Sequence, residues 1–484
     1  MKHIYAICLF AVAMLTALGA SAQLRLASPI QNHMVLLQNS TVKLWGEADK
    51  GTIVEVTASW SDNSVRTKSD KSGNWSVDVT TPVGSYTPYT ITISDSSSTI
   101  TIEDVLVGEV WLASGQSNME MPLRGFFNSP VEGANDVFAN PEGSDHVRMF
   151  NVRLSQSHNE ERYCEGQWLR AIPAEVKEMS ATAYFFARQL SRTLNIPIGI
   201  LNAAYGGAKV ESWTPREVLE HYPDVDLSRE AIDAIATHYY RPMVMYNAML
   251  CPLRGYTIRG FIWYQGCSNV GEESRFVERM TNMVNAWRAQ WGDDKTCALP
   301  FYTVEIAPFR YMSPEQHESA ALLRAAQHTA AMTIPNCAIV VTNDLVEPYE
   351  RDNIHPMRKE PVGRRLAWLA LHRDYGYEHV ACYSPRATEL VRMADGSELG
   401  VRFENLPNGL NRWCDIEGLE VAGSEGIFYP VTDAMYEWEE RVLRIHSEFV
   451  PDPAVVRYGW GDFKVGNLKS CEGLPVAPFE LRLE

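Results

Sequence analysis

No two of the nine cysteines are spaced C-x-x-C, and none of the 484 residues fall into an H-E-x-x-H pattern. The first absence argues against a zinc knuckle or redox motif and the second against a zinc-protease helix, so neither a metal nor another cofactor is called for. A chain of this length does not need cysteine staples. At least half of Cys164, Cys251, Cys267, Cys297, Cys337, Cys382, Cys414 and Cys471 are therefore expected as free thiols. Beyond the first 22 residues no apolar run is long enough to span a bilayer. Basic residues are outnumbered, 43 Lys and Arg against 60 Asp and Glu, which leaves a formal charge of −17. Such a field repels polyanions and argues against nucleic acid as a partner, yet one acidic sugar could still be held by a local Arg or Lys. There is no internal repeat and no extended low-complexity segment.

What is present divides along the chain. Met1 to Ala22 reads as a secretory signal peptide: Lys2, an apolar run from Ile4 to Leu18, and the small-x-small site Ala20-Ser21-Ala22. A periplasmic or secreted protein is the expectation. The length calls for two or three domains. Residues 23–104 show short alternating runs such as Val42–Trp45, Thr52–Val56 and Tyr89–Ile93, the pattern of a small β-sandwich. Residues 105–380 alternate apolar strands (Val105–Ala113, Ile198–Ala203, Ile258–Tyr264, Phe301–Ile306, Ile339–Thr342) with helical stretches at Ala181–Leu194, Phe276–Trp291, Glu315–Met332 and Gly363–Leu371. That alternation predicts a three-layer α/β domain on a parallel sheet. Residues 381–484 return to β, with Leu399–Phe403, Ile427–Pro430 and Val442–Ile445 as strands.

The chemistry concentrates at strand ends. Glu109 to Gly115 leads into Gln116-Ser117-Asn118, which places a hydroxyl on a tight turn at the carboxyl end of a strand, where open α/β sheets gather ligands. A serine needs a base to take its proton as it attacks, and His355 can take and return it. Asp352, three residues earlier, would fix the imidazole tautomer. Ser114 and Asp344 stand next in line for nucleophile and carboxylate. Spacing alone leaves open that Asp352 only caps a turn and His355 is a surface residue. A histidine base of ordinary pKa predicts an acid limb in kcat/KM at about 6 to 7. The oxyanion would be held by the Ser117 N–H, by Gly206 or Gly207 after the next strand, and by a side-chain amide of Gln265 or Asn269 after the third. Each glycine turn has a plainer use as a tight strand-to-helix connection.

These blocks, in this order, resemble those of SGNH hydrolases, most closely the bacterial sialate O-acetylesterase-like branch. The likeness rests on Gly115 to Glu120, Gly206-Gly207 to Glu211-x-Trp213, Tyr246-Asn247-x-Met249, Trp263 to Gly266 and Asp352-x-x-His355, and extends from Pro29 to Phe479. It implies an SGNH-type α/β/α domain flanked by β-rich regions, and a carbohydrate O-acetylesterase working through a Ser117 acetyl-enzyme. Sialate O-acetyl esters are the implied substrate, with acetylxylan or another acetylated polysaccharide as the alternative. A glycan-binding protein on an esterase scaffold is the reading from a different class. One departure stands out: the third block of the family usually reads Gly-Glu-Ser-Asn, and here Cys267 replaces the glutamate. Cys267 is expected as a small packed residue rather than a second nucleophile.

Overall fold

The computed structural model describes residues 23–139, 146–292, 299–311, 318–394, 396–411 and 415–483. The leader read at 1–22, Cys297, Cys414 and the first residues of the Glu315 helix lie outside them. Among the described residues six cysteines are free thiols and no helix is long and apolar enough to cross a membrane.

The architecture is built around a sheet whose seven central strands are β1 (Thr99–Gly115), β2 (Val147–Val152), β3 (Gly166–Arg170), β4 (Ile198–Ala204), β5 (Gly260–Tyr264), β6 (Phe301–Val304) and β7 (Cys337–Val340). Their order is β3-β2-β4-β1-β5-β6-β7. All neighbouring pairs are parallel except β3 with β2. Parallel strands covered on both faces must be apolar throughout, and β4 and β5 are buried at every position. One face is covered by α2 (Ala181–Leu194) and α5 (Lys359–Asp374), the other by α3 (Glu273–Gln290) and α4 (Ser319–Thr333), each face with its own apolar core. This is the three-layer α/β/α arrangement. The helix α2 shows why these boundaries form: the Ser180 side chain accepts from the Ala183 N–H at its start, and Asn195 ends it in a left-handed conformation at φ 54°.

At 17 residues β1 is longer than a single sheet requires. Its first half alternates exposed and buried residues and pairs antiparallel with Ser85–Ser94. From Val105 onward every residue is buried. The change falls at Asp104, which sits at φ 55° and is pinned by Arg148 and His33 at 2.9 and 2.6 Å. The division drawn between residues 104 and 105 thus lies inside one continuous strand, and the large sheet takes in most of the N-terminal strands. A separate three-stranded sheet (Arg25–Leu26, Thr41–Glu47, Asn74–Thr80) accompanies them. The C-terminal region holds two four-stranded antiparallel sheets around Leu399, Val401, Leu443, Val456 and Tyr458. It is tied to the α/β layers by Arg457 with Glu318 and by Asp462, which accepts from the Ala320 N–H at the start of α4.

The carboxyl end of β1 turns under a steric limit. Gly115 has φ 136°, and a side chain there would begin 2.2 Å from the Tyr264 carbonyl oxygen of β5. Only glycine allows this approach. Gly115→Ala should therefore destabilise the protein by about 2 kcal/mol or more. Urea denaturation checks this, with an unchanged midpoint as the contrary result.

Candidate active site

The turn after Gly115 is held to the neighbouring strand end on both sides. The Gln116 N–H donates to Tyr264 O at 2.9 Å, and the Gly266 N–H donates to Gln116 Oε1 at 2.7 Å. Ser117 then opens a helix of four residues, α1 (Ser117–Glu120), and is 8% exposed. Among the described residues nothing accepts from its N–H or engages its hydroxyl. Ser114, by contrast, is fully buried and donates its hydroxyl to Ala203 O at 2.6 Å, which removes it as a nucleophile.

His355 is brought to this turn from 238 positions along the chain by Asn118, whose Nδ2 donates to Ile354 O at 3.0 Å. The loop is fixed locally by Asn353. Its Oδ1 accepts from the His355 N–H (3.1 Å) and from the Ser129 hydroxyl (3.0 Å), and its Nδ2 donates to His355 O (3.0 Å). Phe126 stands edge-on to the imidazole, ring centroids 5.1 Å apart. Burial, and next to it the charge of Lys359, hold the imidazole down at about 4, well below the usual histidine range.

Asp352 does not take the place expected for it. Its carboxylate is 53% exposed and paired with Arg310 at 2.7 Å and Arg351 at 3.5 Å, and no described residue hydrogen-bonds the His355 ring. The cause is a contact between two loops: the Arg310 N–H donates to Arg351 O, which delivers the guanidinium to the carboxylate. Asp344 is no substitute, since Arg365 and Lys469 hold it at 2.8 Å each.

The oxyanion donors need a second correction. The Gly206 N–H is occupied by Glu120 Oε2, a carboxyl that burial pushes above its ordinary range. Gln265 Nε2 donates to Asn269 Oδ1 (2.7 Å) and Ala208 O (3.2 Å), while Asn269 Nδ2 donates to Glu272 (2.8 Å) and Glu211 (3.1 Å). Carboxylates make strong acceptors and hold the Asn269 amide, whose oxygen in turn holds Gln265, so both amides form a wall of the site. The N–H groups of Ser117 and Gly207 are the two expected donors with no acceptor among the described residues. Gly207 reaches that position at φ 76°, where a side chain would overlap the Tyr239 ring.

Cys267 Sγ accepts from the Tyr311 hydroxyl at 3.1 Å, and burial pushes the thiol up to about 11. A protonated thiol is a poor nucleophile at neutral pH, in keeping with a packing role. Beside it lies Arg324, 1% exposed, whose Nε and Nη1 have no hydrogen-bond partner among the described residues and whose charge acts on the thiol. Next to Glu120 and Phe126 opens a cleft of about 490 Å³ lined by Arg124, Arg153, Asn151 and Asn202.

Sequence reasoning missed three residues that build this site: Asn118, Asn353 and Lys359. Asn118 carried a signal, lying inside the nucleophile block, whereas the other two look like ordinary loop and surface residues.

Two predictions follow from these surroundings. A group whose pKa is lowered keeps its basic form to lower pH, so kcat/KM should be level through pH 6 to 7 and fall only toward about 4. An acid limb at the ordinary histidine value in a pH–rate profile would contradict the buried ring. Cys267→Glu should keep or raise the urea midpoint, because the new carboxylate finds the Nε and Nη1 donors that Arg324 leaves without a partner among the described residues. A lowered midpoint would show that Arg324 does not reach it.

Residues 107–371 match the family described as carbohydrate esterase, sialic acid-specific acetylesterase. Sialate O-acetylesterase of Mus musculus is 27% identical over 447 residues, 80% of this chain and 80% of its own. The Homo sapiens protein of the same name is 27% identical over 418 residues, 80% of this chain and 77% of its own. Among solved structures, a carbohydrate acetylesterase from Xanthomonas citri superposes with a TM-score of 0.83 at 29% identity, over 95% of this chain and 100% of that one. The matched segment contains the β1 turn, both glycine turns and the His355 loop, and with it the chain belongs to the carbohydrate esterase, sialic acid-specific acetylesterase family.

Proposed function

We propose that this esterase removes O-acetyl groups from sialic acids by acyl transfer to Ser117. The observation that carries the reading is the Asn118 bridge, which joins the turn bearing the unengaged Ser117 hydroxyl to the loop presenting His355. In the first step Ser117 Oγ attacks the ester carbonyl, and His355 takes the hydroxyl proton and returns it to the sugar oxygen as that bond breaks. Water then repeats the sequence on the acetyl-enzyme, releasing acetate. The N–H groups of Ser117 and Gly207 receive the oxyanion in both steps. Asp352 acts on the loop that carries His355 and not on the ring itself, through its ion pairs with Arg310 and Arg351.

Support for an acidic sugar comes from the cleft beside Glu120. There Arg124 and Arg153 are exposed and paired with Glu178 and Glu165 at 2.9 and 2.5 Å, pairs that solvent already weakens. A sugar carboxylate could exchange for either glutamate at low cost. The names of the mouse and human relatives point to the same substrate. Export through the Met1–Ala22 leader, to the periplasm or the medium, belongs to this proposal.

Acetate release should be fastest from O-acetylated sialic acid in a panel that also holds acetylxylan and acetylated neutral sugars. Preference for a neutral sugar would overturn the substrate. Ser117→Ala and His355→Ala should each lose about a thousandfold or more in kcat. Asp352→Asn should lose less than about tenfold, because its carboxylate does not touch the imidazole.

A further inference from the structure

Lys359 is the first residue of α5 and is 1% exposed. Its Nζ donates to Asn118 Oδ1 at 2.6 Å and to Pro356 O at 2.7 Å. Asn118 follows Ser117, and Pro356 follows His355. One ammonium group therefore touches the immediate neighbour of each proposed reacting residue. The same Asn118 donates to Ile354 O, and its own carbonyl accepts from the Thr182 hydroxyl of α2 at 3.0 Å. Asn118 is thus held at both ends of its amide and at its carbonyl, and Lys359 supplies the only charge among these contacts.

Burying an ammonium is costly, and an apolar side chain would fill the same space without that cost. Burial drives Lys359 down to about 7, opposed by the charge of Glu350. Glu350 is itself engaged by the N–H groups of Met357 and Glu347, at 3.0 Å each, and makes no ion pair with the lysine. A buried cation retained without a contacting carboxylate points to a task in the site.

We infer that Lys359 is a positioning residue of the reaction, its ammonium holding the Ser117 turn and the His355 turn in register through Asn118 and the Pro356 carbonyl. The inference rests on the proposed roles of Ser117 and His355. The lysine has a second effect on the same pair. A positive charge near imidazole opposes its protonation, so the free base persists to lower pH while Lys359 is charged. The other charged groups on the elements that meet here are engaged elsewhere. Glu120 of α1 holds Gly206, Arg124 and Glu132 face Glu178 and Arg358, Asp352 faces Arg310 and Arg351, and the Cys267 thiol is protonated.

The test uses the purified full chain and p-nitrophenyl acetate. Lys359→Met should lower kcat by about tenfold or more with KM little changed, since geometry and not binding is lost. Its acid limb should move up by about one pH unit, because the opposing charge is gone. Lys359→Arg, which keeps the charge, should leave the limb where it is. In an Asn118→Ala background Lys359→Met should cost less than about twofold more, as expected of two residues on one path. A merely structural lysine would lower the melting temperature without moving the limb, and that outcome overturns the inference. So does full additivity with Asn118→Ala. If Lys359→Met does not fold, Lys359→Gln keeps a donor without the charge and must show the same shift of the limb. Retained turnover in Ser117→Ala or His355→Ala would instead overturn the site assignment on which the inference rests.

Discussion

The contact on which the site depends is the approach of the Gly115 backbone to the Tyr264 carbonyl. β1 lies between β4 and β5 with parallel partners on both sides, so its end can leave the sheet only over a neighbouring strand end. The missing side chain lets it do so while the Gln116 N–H pairs with Tyr264 O. The Ser117 turn, the glycine turn after β4 and the Gly266 turn after β5 are thereby set side by side along one edge. A parallel sheet brings such connections to the same rim, which is why residues from three distant parts of the chain can share one small volume.

Within that volume the arrangement of polar groups follows acidity. Glu120, Glu211 and Glu272 take up N–H groups that a reading by residue type would assign to an oxyanion, while the N–H groups of Ser117 and Gly207 stay open. Cations are placed by the same logic at greater depth. Arg279 neutralises Glu211, and Lys359 and Arg324 sit buried behind the His355 loop and the Cys267 turn. The site is thus a set of charge-assisted contacts with a few groups left unengaged at its centre.

Much of this was legible from residues alone, for reasons that differ between elements. The helix Ala181–Leu194 was legible through its apolar spacing, a local effect, and the structure adds the Ser180 and Asn195 caps that fix its ends. Strands β4 and β5 declared themselves by apolar runs, interrupted in β4 only by Asn202. The continuity of β1 across Asp104 was not readable, since a change from alternating to continuous apolarity looks the same whether the chain stops or merely enters a thicker layer. Ser117 and His355 were named by motif, and the structure links their turns through Asn118. The capture of Asp352 by Arg310 was not, because it depends on a loop arriving from 42 positions away. Lys359 was missed for a simpler reason: a lysine at the start of a helix ordinarily faces water.

The length of β1 also bears on how the molecule comes apart. A strand that hydrogen-bonds antiparallel to Ser85–Ser94 in its first half and parallel to β4 and β5 in its second transmits loss of order between the two regions. The apolar contacts of the N-terminal strands run on into those under α3 without a break. The N-terminal strands and the sheet that carries Ser117 accordingly share one strand and one apolar core. The seam at which composition changes is a poor place to cut the chain, because a fragment beginning at residue 105 would enter the sheet with its central strand short of its first six residues.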